Sequence, residues 1–140
     1  MLHHPFVNVD RAKQLISFGG LQWGRNNRPT DVDALFELRN KLYVIVEAKY
    51  VGNQMPFGQK LALTRLVDDL SVVKPALLIL ANHSTPVEEM VDLATATVNE
   101  FRFKGKWWIP DKPYTVRELM DKFITNIMNV GQSDVDSKKI

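Results

Sequence analysis

No cysteine occurs in the 140 residues. That excludes a disulfide framework and a thiolate metal site, and it is compatible with a reducing compartment. The sequence also lacks an apolar run of membrane-spanning length, and its first residues lack the apolar core of a secretion signal. A cytoplasmic protein with no membrane partner is therefore expected, in a bacterial or phage-infected cell. A surplus of one charge is missing too: 18 Lys and Arg against 16 Asp and Glu leave +2. Bulk electrostatics thus supports nucleic-acid binding only slightly, and the local placement of charge has to carry the argument. What remains is a chain that is 45% hydrophobic and long enough to bury a core. One domain is expected over residues 1–130, followed by a disordered polar tail over 131–140.

The informative stretch is Asp31–Lys49, DVDALFELRNKLYVIVEAK. Two aspartates at i and i+2 precede an apolar run, and a second apolar run ends in Glu47-Ala48-Lys49. Strand alternation puts Thr30, Val32, Ala34, Phe36 and Leu38 on one face and Asp31, Asp33, Leu35 and Glu37 on the other. In the second segment Leu42, Val44, Val46 and Ala48 oppose Tyr43, Ile45, Glu47 and Lys49. Arg39-Asn40-Lys41 reads as a tight hairpin turn with Asn40 left-handed. A loop centred on Asn40 pairs residues whose numbers sum to 80, so Asp33 faces Glu47 and Asp31 faces Lys49. A loop one residue shorter would send the two carboxylates to different faces. Carboxylates opposed at about 4.5–5.5 Å between Cβ atoms repel unless a proton or cation separates them. A hard divalent cation such as Mg2+ takes oxygen ligands and typically uses one or two protein carboxylates with substrate phosphate. Lys49, on the face of Glu47, is placed to orient or deprotonate a water or to neutralise a phosphate. The middle of the hairpin is apolar on both faces, so the charges cluster at the end of strands expected to be buried.

Pro29-Thr30-Asp31-Val32-Asp33, followed by the turn and Glu47-Ala48-Lys49, resembles the PD-(D/E)XK, or restriction-endonuclease-like, nuclease superfamily. Within it the layout is most similar to small Holliday junction resolvases and related phage-type nucleases, over roughly Asp10 to Ala81 in order of elements. The resemblance implies an α/β fold, with a mixed central sheet flanked by helices in the order α-β-β-β-α-β plus a C-terminal hairpin and helix. It implies a Mg2+-dependent DNA endonuclease, with Mn2+ substituting, that leaves a 5′-phosphate and acts on branched or junction DNA as a homodimer. Asp33 and Glu47 would hold the metal, with Asp31 assisting from farther out or at a second ion. Lys49 would position the attacking water, and Gln59 would support Lys49 or that water. The sequence departs from the family at the first helix, where an acidic residue often adds a ligand: no Glu precedes Glu37, and Asp10 is the sole acid before Asp31. The alternative function is a catalytically inactive nucleic-acid-binding module of the same fold.

Elsewhere the residues predict a helix from Asp10 to Phe18 closed by Gly19-Gly20, then a short strand Leu21-Gln22-Trp23. Arg25 and Arg28 in the loop before Asp31 would either hold DNA phosphates or simply solvate the loop. A helix over 58–73 carries Leu63, Leu66, Val67 and Leu70 at helical period, with Gln59 at its first turn, either core-facing or in solvent. Ala76–Ala81 is wholly apolar, as a strand covered on both faces is. Thr85-Pro86-Val87-Glu88 has the form of a capping box opening a helix to Leu93, with His83 as a structural residue in the preceding bend. A strand Thr97–Phe103 and Trp107-Trp108-Ile109 flank a Lys104-Gly105-Lys106 turn. Arg102, Lys104 and Lys106 among aromatics would form either a DNA-contacting ribbon or an edge hairpin with its charges in water. Thr115-Val116-Arg117-Glu118 is a second capping box, opening a helix to Met128 with Leu119, Phe123 and Ile127 as its stripe.

Overall fold

Five strands and two helices form the regular structure of the computed structural model, which describes residues 14–129. The chain divides into two units, Met1–Asp31 and Val32–Ile140. In the first, the described residues hold a 3-10 turn at Gly19–Leu21 and one local bridge between Trp23 and Asn27. The expected first helix is absent over 14–18, where Leu15 and Ile16 are 99% and 82% exposed, and its start at Asp10 lies outside the described residues. A segment that short holds a helix only by burying an apolar face, and these side chains bury none. The expected strand Leu21–Trp23 does not form either, because the only pairing there is the turn closed round Gly24 at φ +70°. The expected tail over 131–140 lies outside the described residues.

The second unit runs β1 (Ala34–Leu38), β2 (Leu42–Tyr50), α1 (Phe57–Val73), β3 (Ala76–His83), β4 (Thr97–Phe103), β5 (Lys106–Trp108) and α2 (Val116–Met128). All five strands join one sheet in chain order. Only β2 and β3 are parallel, since α1 carries the chain back across the sheet between them. The class is α/β with a mixed sheet flanked by helices, as expected. The described elements read ββαβββα, without the helix and strand expected at the front.

Period-two alternation divides the core. Leu42, Val44 and Val46 with Leu77 and Ile79 pack against Leu119 and Phe123 of α2. Ile45, Leu78 and Leu80 pack against Leu63 and Val67 of α1. Complete burial of such side chains contributes about 1.5–3 kcal/mol each. Leu66, expected in the α1 stripe, is 43% exposed. The α2 capping box forms as expected: Thr115 Oγ1 accepts from Glu118 N–H at 3.1 Å, and Glu118 Oε1 accepts from Thr115 N–H at 2.9 Å. The expected helix from Pro86 to Leu93 does not form. Pro86 opens a turn closed by Glu89 N–H, and a 3-10 turn at Leu93–Thr95 follows. Val87 and Met90 stand in solvent, so no apolar stripe was there to hold that helix.

Candidate functional site

The β1–β2 hairpin carries the site, and its turn sets the register. Arg39 and Asn40 take φ of +47° and +61°. Lys41 N–H donates to Leu38 C=O at 2.7 Å, and the Glu37 carboxylate accepts from Asn40 N–H at 2.7 Å. The strands pair from Leu38↔Leu42 to Ala34↔Val46, every pair summing to 80. The ladder ends there, one residue before Asp33 and three before Asp31. Burial differs from expectation on one point. β2 is covered on both faces along its middle, whereas β1 lies at the sheet edge with Leu35 63% exposed.

Glu47 is the centre of the arrangement and is only 2% exposed. Its Oε1 accepts from the Asp33 backbone N–H at 3.1 Å, and its Oε2 lies 3.3 Å from Lys49 Nζ. Burial pushes the Glu47 carboxyl above the usual 4.5, and the nearby charge of Asp33 pushes it the same way; the Asp33 N–H and Lys49 oppose them. Asp33 meets Glu47 through its main chain, while its own carboxylate accepts from Ala48 N–H at 2.8 Å. That bond finishes the edge of β2 where β1 has stopped supplying carbonyls. Asp33 therefore has a structural use beside any chemical one. It lines a recess with Ala48, His83 and Leu93, whereas Lys49 lines a separate cleft.

The donor set suits a hard cation. A carboxylate has about four acceptor positions, so Asp33 and Glu47 keep capacity beyond the bonds they make, and a cation between them would relieve the repulsion that raises Glu47. Among the described residues, no group of three or more His, Asp or Glu side chains gathers as a metal centre. Asp31 is exposed, in the segment before the ladder begins. Gln59 is buried on the third residue of α1, the core-facing choice of the two readings. The residue of α1 that lines the Lys49 cleft is its neighbour Lys60.

Arg25 and Arg28 are exposed, Arg25 inside the turn closed by the Trp23–Asn27 bridge and Arg28 just after it. Lys104 and Lys106 are exposed at the β4–β5 hairpin, whose turn is two residues, Lys104-Gly105, both at positive φ. Arg102 departs from the DNA-ribbon expectation. Its Nε and Nη2 donate to Asp68 Oδ1 and Oδ2 at 3.0 and 2.7 Å, which turns that side of the guanidinium toward α1. His83 stands at the end of β3, with Nδ1 accepting from Thr85 N–H, a structural role as expected.

Sequence reasoning missed the lining of the Lys49 cleft: Asn53, Gln54, Lys60, Asn99 and Glu100. One signal existed. Val98 and Phe101 both face α2 although they stand three positions apart, which breaks strict alternation and requires an extra residue in β4. The pairing jumps accordingly from Leu80↔Glu100 to Ala81↔Val98, leaving Asn99 as the bulge.

No protein-family profile, curated protein or solved structure matches this chain. Among the described residues, no helix is long and apolar enough to cross a membrane.

Proposed function

We propose that this chain is a Mg2+-dependent DNA endonuclease on a restriction-endonuclease-like core. The observation that carries the reading is the hairpin register, with Asp33 bonded to a buried Glu47 whose other oxygen meets Lys49. A buried acid with raised proton affinity beside a second acid and a lysine is the kind of group that functional sites assemble. Glu47 and Asp33 would hold Mg2+ or Mn2+, with Asp31 assisting. When bound, such an ion polarises the scissile phosphate and stabilises the leaving oxygen. Lys49, 30% exposed in its side chain, reaches solvent from a buried partner and would orient the attacking water or neutralise the phosphate. Gln59 would orient Lys49 or that water from α1. Lys104, Lys106, Arg25 and Arg28 are the exposed cations proposed to meet the DNA backbone. Branched or junction DNA cut to a 5′-phosphate by a homodimer is the form of the activity that the family resemblance suggests.

A second reading, an inactive module that grips nucleic acid, is favoured by one observation: among the described residues no third acid joins Asp33 and Glu47. Cleavage of plasmid and four-way-junction DNA with Mg2+ separates the two. The nuclease reading expects cleavage by the wild type and none by Lys49→Ala. Binding without cleavage in both proteins would leave the module.

A further inference from the structure

We propose that the cleft beside Lys49 receives one unpaired nucleotide, so that the DNA attacked at this site is open next to the scissile phosphate. The inference rests on the nuclease reading and adds to it a seat for one unpaired nucleotide and the residues that would select it.

The cleft has a volume of about 420 Å3, inside the range of about 300–1,000 Å3 typical of sites for small ligands. Its walls come from three elements that the chain brings together only by folding. The turn after β2 contributes Asn53 and Gln54, α1 contributes Lys60, and the β4 bulge contributes Asn99 and Glu100. In a regular strand consecutive residues point to opposite faces. The bulge lets Asn99 and Glu100 both line the cleft, and re-aiming a side chain in this way is a recurrent use of bulges. Gly52 at φ +92°, with Asn53 N–H donating to Tyr50 C=O at 2.9 Å, folds the opposite wall over the end of β2.

The chemistry of the lining matches a base rather than another charged group. Asn53, Gln54 and Asn99 each offer both donors and an acceptor, the combination with which Asn and Gln read base edges. Met55, Leu80 and Ala81 supply an apolar floor for a ring face. Glu100 is an acceptor whose charge is balanced, because Lys60 Nζ lies 3.1 Å from its Oε1. Lys60 is held in place on its other side by the Trp107 ring, 4.6 Å from the centroid. The phosphate of a nucleotide seated there would face Lys49, the residue that joins the cleft to Glu47.

A base in duplex DNA has its pairing edge occupied and its faces stacked, so it must leave the helix before such a cleft can read it, at a cost of a few kcal/mol. DNA already unpaired at that position avoids the cost. The order of preference follows: flap, bulge or junction DNA before continuous duplex.

The test compares two Mg2+ substrates, a continuous duplex and the same duplex with one unpaired nucleotide. The wild type should cleave the second at least about tenfold faster, the rate ratio equivalent to about 1.4 kcal/mol. Gln54→Ala with Asn99→Ala should bring that ratio close to one. Both side chains are exposed, so their removal leaves the fold intact. Equal rates on the two substrates in the wild type, or an undiminished ratio in the variant, would overturn the nucleotide cleft while leaving the nuclease reading standing. Cleavage of neither substrate by the wild type would overturn both.

Discussion

Asp33 does two jobs that one substitution confuses and a pair of substitutions separates. Its carboxylate accepts the Ala48 N–H, and its charge raises the proton affinity of Glu47. Asp33→Ala removes both and should cost about 1–1.5 kcal/mol in urea unfolding, the net value of a hydrogen bond. Asp33→Asn keeps an acceptor for Ala48 N–H and should lose far less. It should still lower the Glu47 pKa by removing the neighbouring charge; a carboxyl NMR titration reads that change. An Asn variant as unstable as the Ala variant would refute the assignment of the bond. Reading the sequence found the partnership of Asp33 with Glu47 because pairing arithmetic needs only a turn length. It did not find that a main-chain group makes the contact, since a side-chain rotamer leaves no trace in residue spacing.

Among the elements, α1 is held to β4 by the fork between Arg102 and Asp68, with Lys60 and Glu100 beside it. Arg102→Lys forfeits one of the two bonds and the planar match to the carboxylate. A loss of about 1 kcal/mol is expected in thermal unfolding, the worth of one net hydrogen bond. On the proposed DNA-binding reading, the salt dependence should change little, because Asp68 holds the Nε and Nη2 side of this guanidinium against α1; a shallower slope would count against that. Elements with a strong apolar pattern were legible: β2, the apolar run that opens β3, α1 and the capped α2, and β4 in its extent though not in its bulge. Thr85–Glu88 misled because its cap signal is local, whereas a helix survives by burying a stripe, and Val87 and Met90 bury nothing. The segment at Leu21–Trp23 misled for the converse reason, since two apolar residues flanking Gln22 fit a strand but do not show that a partner exists.

For the molecule as a whole, burying Glu47 has a consequence for stability that depends on pH. Its folded pKa is raised above the ordinary 4.5, so the folded chain holds this proton more tightly than the unfolded chain. Stability from this group is full below 4.5 and falls as pH climbs through the raised value. Glu47→Gln carries no such dependence. Without added metal it should melt higher than the wild type at neutral pH, with the gap closing as pH falls toward 4.5; a gap that ignores pH would reject the argument. On the proposed metal reading, Mg2+ should restore the wild type by about 1.4 kcal/mol at ten times its Kd and leave Glu47→Gln unmoved. Affinity for the ion should rise with pH, as the carboxyl gives up its proton.

The turn at Arg39 and Asn40 is where these scales meet. It lies seven residues from Glu47, on the order of 23 Å along an extended strand, and touches no part of the candidate chemistry. Yet a residue gained or lost there would turn β1 over, carry Asp33 to the opposite face and unmake the pair with Glu47. The hairpin acts as a ruler whose zero is Asn40. At the proposed metal site, affinity measured at one end of β2 would therefore report how faithfully the chain turned at the other.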